Sequence, residues 1–221
     1  MTTVRHRRGP RGDISAEDIL RAAERLLDTG GAAALTLRAV ASEAGVTPTA
    51  VYTYFGDMAD LRNRLGDDFL GRLDLGLLGV RPPAQALHRF LRHVLEVAEA
   101  APGHVQVLAT QRVAGPHSLA LNEAFLEYFS DAVGHPPNRA AGLTTLVTEW
   151  LHGRLLLSPS NAASAAFTTA LATVDLADYP RSQQMLATND DGSALDLLVS
   201  AITRMGLPPA EATGVAQTVG S

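Results

Sequence analysis

The sequence predicts an all-α protein. Three observations carry that expectation: no sustained period-two run of β-branched and aromatic residues occurs, apolar residues recur at three- and four-residue spacing along most of the chain, and Gly or Pro punctuates the pattern. The 221 residues are 46% hydrophobic and 19% charged, enough apolar material for a small unit leaning on a larger helical body. Cysteine is absent, which excludes disulfides and thiolate metal sites. No run approaches the roughly 18 apolar residues of a membrane helix, and the start of the chain lacks the apolar core of a signal peptide. The expected location is the cytoplasm, with no membrane partner and no cofactor.

The first helix is expected to begin after Ser15, a good N-cap, with Glu17 and Asp18 in its first turn. Its apolar stripe is Ile19, Ala23, Leu26 and Leu27, and Gly30-Gly31 ends it. Thr36 caps a second helix with Leu37, Val40 and Ala41 facing inward. Gly45 supplies a sharp turn because it takes a positive φ without a Cβ clash. Thr47 caps the third helix, and Pro48 suits its first position, where no amide donor is needed. A long fourth helix is expected from Gly56-Asp57 through Leu77, on the four-residue repeat of Leu61, Leu65, Phe69, Leu73 and Leu77. Helices then follow over about 84–100, 104–113, 118–133 and 138–157, each set off by Pro or Gly. A loop near 158–163, a ninth helix to about 174, a short helical piece over 180–187 and a last helix over 193–205 complete the reading.

Charge is uneven. Arg5, Arg7, Arg8 and Arg11 stand near the start with no acid before Asp13, while the other 14 arginines face 23 acids. Four stretches follow: a basic disordered arm over 1–14, a helix-turn-helix unit over 15–62, a helical body over 63–206 and a disordered tail over 207–221. The basic arm at the start is either simply solvated or lies along phosphates or in a minor groove.

The chemistry concentrates in Thr36 to Phe55. On the third helix Val51 and Phe55 share a face and close a small core with Val46, Val40 and Leu26. The opposite face shows Thr49, Tyr52 and Thr53, with Tyr54 on the flank. Hydroxyls suit phosphate oxygens, and threonine methyls suit thymine methyls. Arg38 is the long cation nearest the groove entrance and can bond guanine bidentately. The candidate DNA-binding residues read from this face are Arg38, Thr49, Tyr52, Thr53 and Tyr54, with Thr47 at the start of the same helix and Arg5, Arg7 and Arg8 of the arm.

The pattern Ile19-x-x-Ala22-Ala23, Gly30 or Gly31, Thr36, Val40-Ala41, Ala44-Gly45-Val46-Thr47, Val51-Tyr52 and Phe55 resembles the N-terminal domain of the TetR (AcrR-like) family of transcriptional repressors. The resemblance implies that Tyr52 and Thr36 contact phosphates and that Arg38, Pro48, Thr49 and Tyr54 lie at or near base edges. It implies a homodimer on a near-palindromic double-stranded operator, with half-sites roughly 34–36 Å apart. One departure is Met58, where the family usually has a lysine.

The piece Leu176 to Arg181, followed by an amphipathic helix, resembles the end of the C-terminal domain of repressors similar to the tetracycline repressor. That implies a cavity for a small organic effector between the fifth and eighth helices. It also implies dimer faces carrying Leu143, Leu146, Val147 and Leu151 with Leu195, Leu198, Val199 and Ile202, and Ala140 and Gly142 allowing close approach. Polar or aromatic residues amid apolar helices are the ligand-binding candidates: His93, Gln106, Gln111, Phe125, Phe129, Trp150 and His152. His88 and His93, five apart, do not share a helix face, so no metal site is expected.

No phosphate loop, GxGxxG or nucleophile elbow is present, so an enzyme is not expected. The expected function is a ligand-responsive repressor. The alternatives are an activator of the same class and a helical small-molecule-binding protein with a vestigial DNA reader.

Overall fold

The computed structural model describes residues 14–156, 162–188 and 191–204. The arm arginines Arg5, Arg7 and Arg8, most of the expected 158–163 loop and the 207–221 tail lie outside the described residues. Among the described residues there are α-helices, short 3-10 turns and one π-turn, and no strand. Eleven α-helices are placed in the described residues: α1 (Ala16–Ala34), α2 (Leu37–Glu43), α3 (Pro48–Val51), α4 (Met58–Leu70), α5 (Pro83–Glu99), α6 (Pro102–Thr110), α7 (Pro116–Glu127), α8 (Pro137–Leu156), α9 (Ala162–Leu171), α10 (Pro180–Thr188) and α11 (Asp191–Arg204).

Local chemistry starts and stops these helices. Ser15 caps α1 in a reciprocal box: its Oγ accepts from the Asp18 N–H at 3.2 Å, and the Ser15 N–H donates to the Asp18 carboxylate at 2.9 Å. Gly31, at φ 63°, breaks the helical run before Ala32–Ala34. The fourth helix is shorter than the leucine repeat predicts. Gly71 caps it, Leu73 lies in the turn that follows, and Leu77 falls in a 3-10 helix over Leu75–Gly79 capped by Asp74. Phe69 and Leu73 are buried in the stretch before the break and Leu78 after it, while Leu77 of the expected repeat is only half-buried.

The described residues divide into two compact units. The first gathers the residues up to Leu73, Val94–Leu121 and the end of α8. Its core joins Ile19, Leu27, Val40, Val51, Phe55 and Leu65 with Val107 of α6, so α6 helps to build the reader core. Gly103 makes this contact close: a Cβ there would lie 2.6 Å from the Leu27 carbonyl oxygen.

The second unit gathers Asp74–His93, Asn122–Leu151 and the described residues from Ala163 on. Its centre is aromatic. Phe90 meets Phe125 edge-on at 5.4 Å, and Tyr128 meets Phe129 edge-on at 5.0 Å. The buried Tyr128 hydroxyl donates to the Pro83 carbonyl at 2.8 Å, and burial pushes its pKa well above the ordinary phenol value. Most of the stripe expected to face a second copy is buried within this unit of the single chain: Leu143, Val147 and Leu151 on α8, and Leu195, Val199 and Ile202 on α11. Leu146 and Leu197 of the same helices stay exposed, at 44% and 70%.

Candidate nucleic-acid interface

The reader is built by caps. The Thr36 Oγ1 accepts from the Ala39 N–H at 3.2 Å and starts α2. Gly45, at φ 71°, turns the chain, and the Val46 N–H donates to the Ala41 carbonyl at 2.8 Å to close the end of α2. The Thr47 Oγ1 accepts from the Ala50 N–H at 3.3 Å and starts α3 with Pro48 in its first turn. After Val51 the helix tightens: the Thr53 N–H bonds to the Ala50 carbonyl at 3.2 Å and the Tyr54 N–H to the Val51 carbonyl at 3.0 Å. Val51 and Phe55 are buried, which fixes the opposite face toward solvent.

That outward face holds the predicted residues. Thr36, Arg38, Thr47, Pro48, Thr49, Tyr52, Thr53 and Tyr54 are all exposed. Tyr52 is 50% exposed, a large amount for an aromatic side chain. Tyr54 is partly committed already, since its hydroxyl donates to the Ile14 carbonyl and ties the end of the reader to the start of α1. Arg25 of α1 pairs with Glu43 of α2 at 2.7 Å; both side chains are largely exposed, so the pair contributes at most about 1 kcal/mol.

The start of α4 differs from the rest of this face. The Asp57 side chain accepts from the Asp60 N–H at 2.8 Å, and the Asp60 side chain accepts from the Gly56 N–H at 2.9 Å. Two carboxylates thus fill amides that an anion would otherwise use. Met58 packs half-buried against the reader core.

The predicted ligand residues do not gather at one place within either unit. In the first unit the Gln106 Oε1 accepts from the Ala32 N–H at 2.9 Å, beside the Gly31 break. The Gln111 amide donates to the Ala59 carbonyl at 3.1 Å. Both are therefore engaged with backbone. His152 is exposed and borders a shallow surface depression with Val105, Leu108 and Leu155. In the second unit Phe125 and Phe129 are core, Trp150 is half-buried, and the His93 Nε2 accepts from the Asp74 N–H at 3.1 Å. Two buried polar groups of that unit went unnoticed in the sequence: the His135 Nε2 and the Thr144 Oγ1 have no partner. No spacing in the sequence marks either of them as buried.

Metal-ligand atoms of Asp67, Asp68 and His117 come within 4.8 Å of one another. Asp67 is already filled by N–H donors and Asp68 pairs with Arg64 at 3.0 Å, so the protein itself satisfies the group.

The capped three-helix reader, with its hydroxylated outward face, defines a helix-turn-helix DNA-binding module. Residues 19–65 match the family model described as bacterial regulatory proteins, tetR family. The chain thus carries a tetR-family DNA-binding domain, in the fold of a tetR-family transcriptional regulator. No curated protein matches it. Among solved structures it is similar to the Streptomyces coelicolor TetR family protein ActR in complex with (S)-DNPA, with a TM-score of 0.72 and 16% identity over 88% of this chain and 99% of that one. It is similar to the S. coelicolor transcriptional regulator SCO7222, a TetR, with a TM-score of 0.64 and 23% identity over 88% and 100%. It is also similar to a TetR variant of Acinetobacter baumannii AYE in complex with minocycline, with a TM-score of 0.65 and 20% identity over 89% and 100%. These likenesses establish the fold. The family and these neighbours are transcriptional regulators, not enzymes. No helix among the described residues is long and apolar enough to cross a membrane.

Proposed function

We propose that the protein is a ligand-responsive transcriptional repressor that binds a near-palindromic operator as a homodimer in the cytoplasm and is released by a small organic effector. One observation carries the reading: α3 is capped, proline-started and anchored by buried Val51 and Phe55, so Thr49, Tyr52 and Thr53 project from a rigid base. Arg38 joins them as the exposed cation of α2. The proposed roles are Tyr52 and Thr36 on phosphates, with Arg38, Pro48, Thr49 and Tyr54 at base edges, and the arm arginines as additional phosphate contacts. Small molecules bound to ActR and to the minocycline-bound TetR variant support an effector in the helical body.

The test is selection of duplexes from a random pool by the full-length protein, followed by a salt titration. Enrichment of a near-palindrome is expected, with affinity falling steeply as salt rises. Recovery of no enriched duplex, together with no binding in dilute buffer, refutes the reading. It would favour a second one, a helical binding protein with a vestigial reader. The acids filling the amides at the start of α4 and the core-packed Met58 favour that second reading. A reporter carrying the selected duplex over a promoter distinguishes repression from activation.

A further inference from the structure

We infer that operator binding depends on the basic arm ahead of α1, steered to the reader face by the bond between Tyr54 and Ile14, because the folded reader has too little free positive charge of its own; this rests on the operator-binding reading above. Residues 14–73 carry six arginines against nine acids. Four of those arginines already pair with carboxylates of the same unit: Arg21 with Asp18, Arg25 with Glu43 at 2.7 Å, Arg64 with Asp68 at 3.0 Å and Arg72 with Glu24 at 3.0 Å. Only Arg38 and Arg62 are left without an ion pair in this stretch, among the described residues. Asp57 and Asp60 add exposed negative charge at the start of α4, just past Phe55. Duplex DNA carries one negative charge per roughly 1.7 Å of its axis, and proteins gain affinity by displacing its counterions with Lys and Arg. A net-negative reader with so few free cations gains little that way and repels the duplex at long range.

The missing charge stands immediately ahead of α1. Residues 1–13 carry Arg5, Arg7, Arg8 and Arg11 against Asp13 alone. Ile14, the first described residue, packs against the reader core, and its carbonyl accepts from the Tyr54 hydroxyl. Tyr54 follows Tyr52 and Thr53 at the end of the reader and is 41% exposed. The arm therefore joins the folded unit at the flank of the solvent face that holds Thr49, Tyr52 and Thr53. The chain from Ile14 back to Arg5 spans at most about 30 Å when extended, long enough for every arm arginine to reach a duplex held on that face. Phosphates and the minor groove beside the half-site are the partners that suit such a run of guanidinium groups. Tyr54 is then a positioning residue, whose hydroxyl acts on the operator through the arm.

The test uses the full chain and the duplex selected by the wild type. One variant replaces Arg5, Arg7, Arg8 and Arg11 by Gln; the other is Tyr54→Phe, made alone and on top of the first. The neutral arm is expected to leave the thermal midpoint unchanged. It should raise the operator dissociation constant about 100-fold or more at near-physiological salt, and flatten the log–log salt dependence by roughly three to four for each bound chain. Tyr54→Phe is expected to weaken binding about three- to tenfold with the arm intact, and by less than about twofold with the arm neutral, because both changes act on one contact. A neutral-arm protein that keeps the wild-type salt slope and an affinity within about threefold of the wild type overturns the inference. Equal losses from Tyr54→Phe in both backgrounds overturn the positioning role. Should Tyr54→Phe lose cooperative unfolding, the unaltered protein decides: the duplex is expected to slow trypsin at the arm arginines, and cleavage at an unchanged rate overturns the inference. A wild type that binds no duplex in dilute buffer refutes the operator reading itself, whereas equal binding by wild type and neutral arm refutes only the dependence on the arm.

Discussion

Thr47 and Tyr52 stand five residues apart on the reader and do opposite jobs. The Thr47 hydroxyl is occupied in capping α3, whereas the Tyr52 side chain is half in solvent and no protein group is needed to explain its position. Thr47→Ala is expected to lower the unfolding free energy by about 1 kcal/mol, read as a drop in the thermal midpoint. Tyr52→Phe is expected to leave stability within about 0.5 kcal/mol and to weaken operator binding by about tenfold, read by titration at fixed salt. If Tyr52→Phe unfolds the protein instead, the hydroxyl is structural and the face is misread. Arg38→Ala is expected to cost about 1–3 kcal/mol at one base pair and relax selectivity there, visible when the selection is repeated with the variant. The caps and the turn of the reader were legible in the sequence because each acts within one turn of its neighbours. Ser15, Thr36 and Thr47 cap amides three residues on, and Gly45 takes the positive φ that its place between two helices demands.

The joint of α1, α4 and α6 was not legible. Phe69 of α4 stacks on His104 of α6 at 5.3 Å, Arg72 reaches the His104 Nε2 at 3.3 Å, and the same guanidinium pairs with Glu24 of α1 at 3.0 Å. A guanidinium only donates, so the Nε2 accepts and the ring proton sits on Nδ1, which is buried without a partner. These contacts bridge about 32 and 48 residues of chain, and no periodicity reports such pairs. For the same reason Gln106 and Gln111 read as ligand candidates: a lone polar residue on an apolar helix looks identical whether it serves a ligand or a distant carbonyl. Burial pushes the His104 pKa below 6.5, Arg72 adds to that, and Glu24 and Asp28 oppose it. The unfolded chain restores the ordinary value, so below about pH 6.5 it takes up a proton that the folded chain resists. Stability is therefore expected to be flat above that pH and to fall as pH drops through the folded-state value. Thermal midpoints measured from about pH 7.5 down to about pH 5 check this, and His104→Gln should flatten the acid side. Gly103→Ala probes the same joint sterically. Its Cβ would meet backbone, the Leu27 carbonyl oxygen at 2.6 Å, and backbone cannot rotate away, so a loss of about 1–3 kcal/mol is expected.

At the scale of the whole molecule, the proposed dimer and the proposed operator are one hypothesis with two readouts. A single reader offers few contacts, and two readers on one duplex multiply affinity through effective concentration without any new chemistry. The leucines that the sequence suggests for the subunit contact are mostly used inside one chain, because an apolar stripe on a helix cannot announce whether its own chain or a copy will cover it. Leu197 remains, 70% exposed on α11 with Ala194 and Ala201 exposed on the same side, and Leu146 remains on α8. A charge at Leu197 costs the monomer little, since most of that side chain is already in solvent. In an apposed pair the same charge would be desolvated opposite its symmetry copy. Leu197→Glu is therefore expected to give a folded monomer with an unchanged thermal unfolding profile at low concentration. Sedimentation should show half the wild-type mass, and binding to the full near-palindrome should fall by about 100-fold or more. Binding to an isolated half-site should stay as weak as the wild type's. A Leu197→Glu protein that keeps the dimer mass and full operator affinity would place the subunit contact elsewhere on the chain and remove α11 from it.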